Sequence, residues 1–343
     1  MFHLKNSATN TLPLMVLLFL FSVFQSSHPM IILFQKGIMN GFYSMHLNAF
    51  YDIEKHIYTD AVLQSAHKKD EFLAFCQMVD RHILSSDIKT VFIGDRGYCS
   101  YNNMAHVIEK EQYFVFRSKD ITSKGILSNF AFPDSDTFDI TVNVTLTRSQ
   151  RKSIKIKSDF YRRFVDKAAS FDYIEYASTD TYDMSFRIVR FMISEDTYEC
   201  IVTNLPQEEF GAEELKKIYN SRWSIESSFR KLKYTIGVSY YHSYKPDFIK
   251  QEIWAKFIAY NATELLVAHT VVTHGKRKYS YKVNFTLAAH ICRIYLRLHT
   301  ETDSMDVMAL LQKELVLVRN DRQFPRLKTA HFRKPKYLIY RVS

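Results

Sequence analysis

The chain has 343 residues, 47% of them hydrophobic and 15% aromatic, enough for a sizeable core and too apolar for global disorder. Its formal charge of +10 and pI of about 9.2 favour a polyanionic partner, nucleic acid before membrane. Cys76, Cys99, Cys200 and Cys292 are far apart with no C-x-x-C pair, so neither a zinc motif nor a disulfide framework is indicated, and eight glycines without a P-loop or G-x-G-x-x-G argue against an ATP-driven or dinucleotide enzyme.

In chain order, residues 11–24 (TLPLMVLLFLFSVF), after Lys5, look like the apolar core of a signal peptide and are short for a transmembrane helix. No Asp or Glu precedes Asp52, although the chain holds 36 in all; an even spread would put about five there. From Ser44 the pattern becomes orderly. MHLNAFYDI and IYTDAVLQ read as two strands joined at Glu54-Lys55-His56. Asp70 to Leu84 has helical spacing of Phe72, Phe75, Cys76, Val79 and Ile83. Thr90-Val-Phe-Ile-Gly-Asp95 is an apolar strand that delivers a carboxylate at its end, and Asp95 could equally cap the next helix. That helix is expected from about Ser100 to Glu111, with Asn102-Asn103 as cap residues.

Between Phe116 and Thr203 the period becomes that of strands, at 139–146, 186–193 and 198–203, with basic residues interleaved from Arg148 to Lys157. Glu214 to Tyr240 then reads as one long amphipathic helix ending before Gly237. At about 100° per residue Tyr219, Arg222, Glu226 and Lys233 form one polar stripe, beside an apolar stripe of Ile218, Ile225, Phe229 and Leu232. Taken alone, the stripe is equally a surface helix with an i,i+4 pair such as Glu226 with Arg230. Residues 246–274 and 283–300 read as helices apolar enough to pack on a sheet, in which His269 and His290 are core or surface residues rather than ligands. From Arg319 the tail is basic with interleaved aromatics, a candidate DNA-backbone strip or a solvated tail.

The spacing Tyr219-x2-Arg222-x3-Glu226-x6-Lys233, with Trp223 beside the Arg, resembles the signature of bacterial insertion-sequence transposases of the DDE type. Asp95-Arg96-Gly97-Tyr98 resembles a second hallmark of the same group, and YNNMAH, FVFRSKD, YECIVTNLP, KPDFIKQEIWAKFIAYN and VNFTLAAHICRIYLR carry the likeness over roughly residues 44–343. The resemblance implies an α/β fold: a ribonuclease-H-like mixed sheet with flanking helices and a β-rich insertion before the catalytic Glu helix. It implies five regions: an aberrant segment 1–43, the first part of the catalytic domain at 44–116, the insertion at 117–203, the Glu helix and C-terminal helices at 204–300, and the tail at 301–343. It implies Asp95 and Glu226 as catalytic and metal-binding carboxylates, with Tyr219, Arg222 and Lys233 on DNA phosphates. The cofactor would be a pair of Mg²⁺ or Mn²⁺ ions. The partner would be double-stranded DNA at transposon terminal repeats, met by a homodimer in a synaptic complex. No nucleotide cofactor, no membrane and a bacterial cytoplasm complete the expectation, with the apolar run at 11–24 taken as spurious.

The family's first catalytic Asp lies in an Asp-Gly-Ser motif on the first strand, and Met15-Val16-Leu17 stands about where it belongs. Read one nucleotide earlier, codons for Leu14 to Leu17 can give Asp-Gly-Ser, so residues 1 to about 40 are expected to be an out-of-frame reading that packs poorly. The chain as written is then a transposase lacking one carboxylate and inactive. Two alternatives stand beside it: a non-catalytic DNA-binding remnant, and another ribonuclease-H-like nuclease. Asp52 and Asp60 are the nearest substitute acids, neither well placed.

Overall fold

The computed structural model describes residues 45–318 except 66–67, 84–87, 124, 152, 244, 273–278 and 298–305, together with the backbone of four strands near the N-terminus. Two compact units emerge. The first is built on His46–Glu54 and Thr59–Ile225 with the strands of the first twenty residues; the second holds Lys55–Tyr58 and the chain from Glu226 onward.

The first unit is organised by one mixed sheet. Its early strands are β1 (Phe2–Lys5) and β2 (Thr11–Leu20), and two short strands, β3 (Phe34–Gln35) and β4 (Phe42–Tyr43), pair with each other apart from it. β5 (Met45–Asp52) and β6 (Ile57–Ser65) come next, joined by a turn in which His56 takes a left-handed φ of 58°. After α1 (Glu71–Arg81) come β7 (Lys89–Gly94), α2 (Tyr101–Glu109) and β8 (Tyr113–Ser118). β9 (Phe138–Thr147), β10 (Phe160–Phe164), β11 (Thr181–Ser194) and β12 (Thr197–Thr203) complete the sheet, in the order β10-β9-β11-β12-β8-β7-β2-β5-β6 with β1 beside β2. The region between Phe116 and Thr203 thus continues the sheet through β12, antiparallel to β8.

β2 lies parallel to β7 and antiparallel to β5, and β7 lies parallel to β8. The stretch Thr11–Leu20 therefore has the central place expected of a first strand, but the register differs from the expectation. Leu14–Leu17 lie beside Lys89–Phe92, and Met15 is level with Thr90. That is five residues before Asp95, about 17 Å at the rise of a strand. The pairing Leu18 with Ile93, continued by two residues, brings Leu20 level with Asp95. The side chains of residues 1–44, including their expected poor packing, and the basic tail from Arg319 lie outside the described residues.

Helix α1 starts where Asp70 accepts from the Leu73 N–H at 2.9 Å. Its buried face is Ala74, Phe75, Cys76, Met78 and Val79; of the residues expected on that face, Phe72 is exposed on the other side of the helix and Ile83 is exposed beyond its end at Arg81. α2 is capped by Ser100, whose Oγ accepts from Asn103 N–H at 3.2 Å. The asparagines expected as caps are buried and turned inward: Asn103 donates to Tyr98 O at 2.9 Å and Asn102 to Asp172 Oδ2 at 2.9 Å. The core unites Phe50, Phe75, Phe92, Phe114 and Phe116 with Phe186 and Ile188 of β11. Of the basic run, Arg148 donates to the carbonyls of Asp166, Ala169, Phe171 and Ile174, and Lys157 pairs with Asp183 at 2.9 Å. Those two charges serve the fold.

The expected long helix is broken. α3 (Ala212–Asn220) stops, and α4 (Trp223–Arg230) begins three residues later. Ser221 Oγ donates to the Ile218 carbonyl at 2.5 Å, taking the acceptor that Arg222 N–H would use in a continuous helix. Arg222, Ser224 and Ile225 N–H groups bond three residues back instead. α4 runs into a wide turn, Lys231–Ile236, which ends as expected at Gly237, at φ 83°. There the Gly237 and Val238 N–H groups both reach Leu232 O at 3.1 Å.

In the second unit Tyr58 is bracketed by Asn261, which accepts from its N–H at 2.9 Å and donates to its carbonyl at 2.8 Å. α5 (Pro246–His269) buries Ile249, Ile253, Phe257 and Tyr260 at helical spacing. The short β13 (Tyr281–Val283) and β14 (Leu315–Leu317) pair around α6 (Phe285–Tyr295) and α7 (Val307–Lys313) in sequence. The expected helices at 246–274 and 283–300 are thus shorter. His269 Nδ1 lies 2.8 Å from Leu265 O, and His290 is exposed.

Candidate active site

Asp95 stands at the C-terminal end of β7, a strand buried from Thr90 to Gly94. Gly94 fits tightly there: a Cβ on it would lie 3.0 Å from Phe116 Cδ1 and 3.0 Å from Tyr98 Cβ, so a larger residue would push on both side chains. The Asp95-Arg96-Gly97-Tyr98 motif is a single tight turn. Asp95 Oδ1 accepts from Arg96 N–H at 2.8 Å, and Tyr98 N–H closes on Asp95 O at 2.8 Å. Tyr98 is buried, its ring 5.8 Å from Phe75 and its hydroxyl donating to Asn48 Oδ1 at 3.3 Å. Asp95 therefore caps this turn and is also a carboxylate held in the interior, 8% exposed.

Gly94 pairs with Phe116, so Arg117 on β8 comes level with Asp95. Its Nη1 lies 3.9 Å from Asp95 Oδ1, and its Nε lies 2.6 Å from Glu199 Oε1 on β12. Tyr219 of α3 donates to the same Asp95 Oδ1 at 3.3 Å. Burial, and then the charge of Asp95, push the Tyr219 hydroxyl well above its ordinary pKa, so it is a donor at any working pH. Arg222 is buried at the break between α3 and α4, its guanidinium carbon 5.5 Å from the Tyr219 ring and 4.8 Å from that of the exposed Trp223. Asp95, Tyr219 and Arg222 are thus gathered in one unit, with the buried Glu199 and the half-buried Arg117 beside them.

Glu226 and Lys233 belong to the second unit. Glu226 is half-buried on the first turn of α4. Lys233 is half-buried on the wide turn, with its Nζ 5.4 Å from the Tyr234 ring. Both flank the buried Ser228, whose Oγ lies 2.8 Å from Tyr58 Oη.

The sequence reading missed Arg117 and Glu199. The available signal was two opposite charges set in otherwise apolar strands, Tyr113–Ser118 and Thr197–Thr203. The substitute acids are engaged elsewhere. Asp52 is two strands from β7, level with Phe92, and accepts from Glu54 N–H at 3.0 Å. Asp60 takes a two-point bond from Arg81 at 2.6 and 2.7 Å.

Asp95 offers hard oxygen donors of the kind a divalent cation takes, with the guanidinium of Arg117 already facing one of them. Among the described residues, no helix is long and apolar enough to cross a membrane.

Residues 35–262 match the family model described as the transposase DDE domain. Over 130 residues the chain is 25% identical to the transposase InsG of insertion sequence element IS4 from Escherichia coli K12, covering 34% of this chain and 28% of that protein. Over 59 residues it is 32% identical to the InsL transposase, described as putative, of element IS186A from the same organism, covering 17% and 16%. The chain thus spans under a third of the length of these relatives. A solved structure, the piggyBac transposase synaptic complex with hairpin DNA, overlays on 85% of this chain and 56% of its own at a TM-score of 0.43 and 7% identity. With a family match covering about two thirds of its length, the chain belongs to the transposases with a DDE domain.

Proposed function

We propose that this chain is the catalytic module of a cut-and-paste insertion-sequence transposase, of the group marked by Tyr219, Arg222, Glu226 and Lys233, on a ribonuclease-H-like sheet. The strand order β6-β5-β2-β7-β8, with parallel pairs on either side of β7, supports that fold. One observation carries the functional reading: Asp95 of one motif and Tyr219 of the other, 124 residues apart, meet through a hydrogen bond at a buried strand end. Asp95 and Glu226 are the metal carboxylates. Divalent ions bound there would activate water or a 3′-hydroxyl and stabilise the leaving oxygen. Arg117 keeps Asp95 in place against its own desolvation, Tyr219 fixes one carboxylate oxygen, and Arg222 and Lys233 neutralise phosphates of terminal-repeat DNA. The exposed Arg151 and Lys155 of the basic run and the basic tail add backbone contacts, and two copies assemble on paired ends.

The chain as written does not cleave, because the strand alongside β7 holds no carboxylate: residues 11–20 read TLPLMVLLFL. An out-of-frame reading of that strand accounts for the missing acids before Asp52. DNA binding survives through the basic residues. The test pairs two assays on duplex DNA carrying the element's terminal repeats. Nicking in Mn²⁺ should be undetectable, and binding should be retained and weakened by salt. Arg222→Ala and Lys233→Ala should each reduce the salt slope by about one. Nicking that vanishes in Asp95→Ala would show that another acid completes the site; no binding at low salt would remove the DNA reading.

A further inference from the structure

A second group of ligand-type side chains lies in the first unit among residues with no role in the site above. Cys76 on α1, His106 on α2 and Asp172 in the segment between β10 and β11 bring a sulfur, a ring nitrogen and a carboxylate oxygen within 4.8 Å of one another. Cys76 and His106 are buried, while the Asp172 side chain is about half exposed.

His106 stands between two carboxylates, with Nδ1 2.7 Å from Asp80 Oδ1 and Nε2 2.8 Å from Asp172 Oδ2. A neutral imidazole carries one N–H, so the pair of contacts calls for a second proton or for a cation between Nε2 and Asp172. Asp80 on Nδ1 is the arrangement that fixes the tautomer and leaves Nε2 as a metal ligand. Asp172 is aimed inward by its own backbone, whose N–H donates to Asn102 Oδ1 at 2.9 Å. The segment bearing it is pinned by the four carbonyl contacts of Arg148.

We propose that Cys76, His106 and Asp172 form a site for a zinc-type divalent cation that clasps α1, α2 and the segment around Asp172. A mixed sulfur, nitrogen and oxygen set suits zinc and disfavours magnesium. Zinc bonds of about 2.0–2.2 Å to nitrogen and oxygen place those two atoms about 3.3 Å apart in a tetrahedron. The His106–Asp172 contact of 2.8 Å therefore needs to open by only about 0.5 Å, at a residue outside regular structure. The sulfur, at about 2.3 Å from the ion, would lie about 3.6 Å from either partner, so a spacing of up to 4.8 Å closes by about 1.2 Å at most. The half-exposed Asp172 marks the entrance and leaves a fourth position for water. On binding, the Cys76 thiol proton and any second imidazole proton pass to solvent.

This clasp does not depend on the reading of Asp95. The test uses the full chain stripped with EDTA and titrated with Co²⁺ as the probe. A thiolate-to-cobalt charge-transfer band should appear, saturate at one equivalent and be bleached by Zn²⁺. Cys76→Ser should abolish the band, and Asp172→Asn, at a half-exposed position that tolerates the change, should weaken binding at least tenfold. Asp95→Asn should leave both readings unchanged. A missing band, a band that persists in Cys76→Ser, or unaltered affinity in Asp172→Asn would each overturn the proposal.

Discussion

Arg117 faces two buried carboxylates, and the asymmetry of its contacts says what it does. It is 2.6 Å from Glu199 and 3.9 Å from Asp95, so Glu199 anchors the guanidinium and Asp95 faces the charge without being locked by it. Removing the cation takes the nearest counter-charge from the buried Glu199, which costs about 2 kcal/mol, less than for a fully buried pair because Arg117 is partly exposed. Arg117→Met should therefore lower the free energy of unfolding by about that amount in urea titrations, while the double variant with Glu199→Gln recovers most of it. Equal losses in single and double variants would remove the pairing. Histidine titration gives a second expectation at this scale. Burial lowers the pKa of His46 and of His82 below the ordinary 6.5, and His82 packs its ring against Phe50 and Phe92. The folded state refuses protons that the unfolded chain accepts. Stability is thus intact above about pH 6.5 and falls as the pH drops below it. Urea midpoints at pH 7.5 and 5.5 should differ in that direction, and His82→Phe should shrink the gap; equal midpoints would contradict the desolvated state of both rings.

The elements divide by how locally they are specified. The strand ending in Asp95, the helix beginning near Asp70 and the helix stop before Gly237 were legible, because each depends on a few adjacent residues. Gly237→Ala puts a Cβ at φ 83° and 3.3 Å from Tyr240 Cδ2, and should cost about 1 kcal/mol, read as a lower urea midpoint. No loss would mean that the turn relaxes. The break at Ser221 was not legible. Of the apolar stripe, Ile218, Ile225 and Leu232 are buried and Phe229 is half-buried, but periodicity does not reveal that a serine hydroxyl takes a carbonyl from the ladder. The caps of α2 were misassigned for a related reason: Asn102 and Asn103 look like local cap residues, yet they bond to Asp172 and Tyr98 in the interior. Arg117 with Glu199, and Cys76 with His106 and Asp172, were invisible because their partners are set by strand pairing and helix packing rather than by spacing along the chain.

At the scale of the whole molecule the motif residues fall in two units, with Asp95, Tyr219 and Arg222 in the first and Glu226 and Lys233 in the second. Sequence resemblance joins Tyr219, Arg222, Glu226 and Lys233 in one signature and Asp95 in a second, and the proposed chemistry needs Asp95 and Glu226 around common metal ions. The strand Thr11–Leu20 beside β7 contributes no acid to that proposed set, so metal binding should be weak. The measurement that reaches this claim most directly is iron-directed backbone cleavage. Fe²⁺ replaces Mg²⁺ at such carboxylates, and with ascorbate and peroxide it cuts the chain near its ligands. The account predicts two sets of fragments, ending near Asp95 and near Glu226, both suppressed by excess Mg²⁺ and both lost in Asp95→Asn. Cuts near only one of the two residues, or a pattern indifferent to Asp95→Asn, would contradict it.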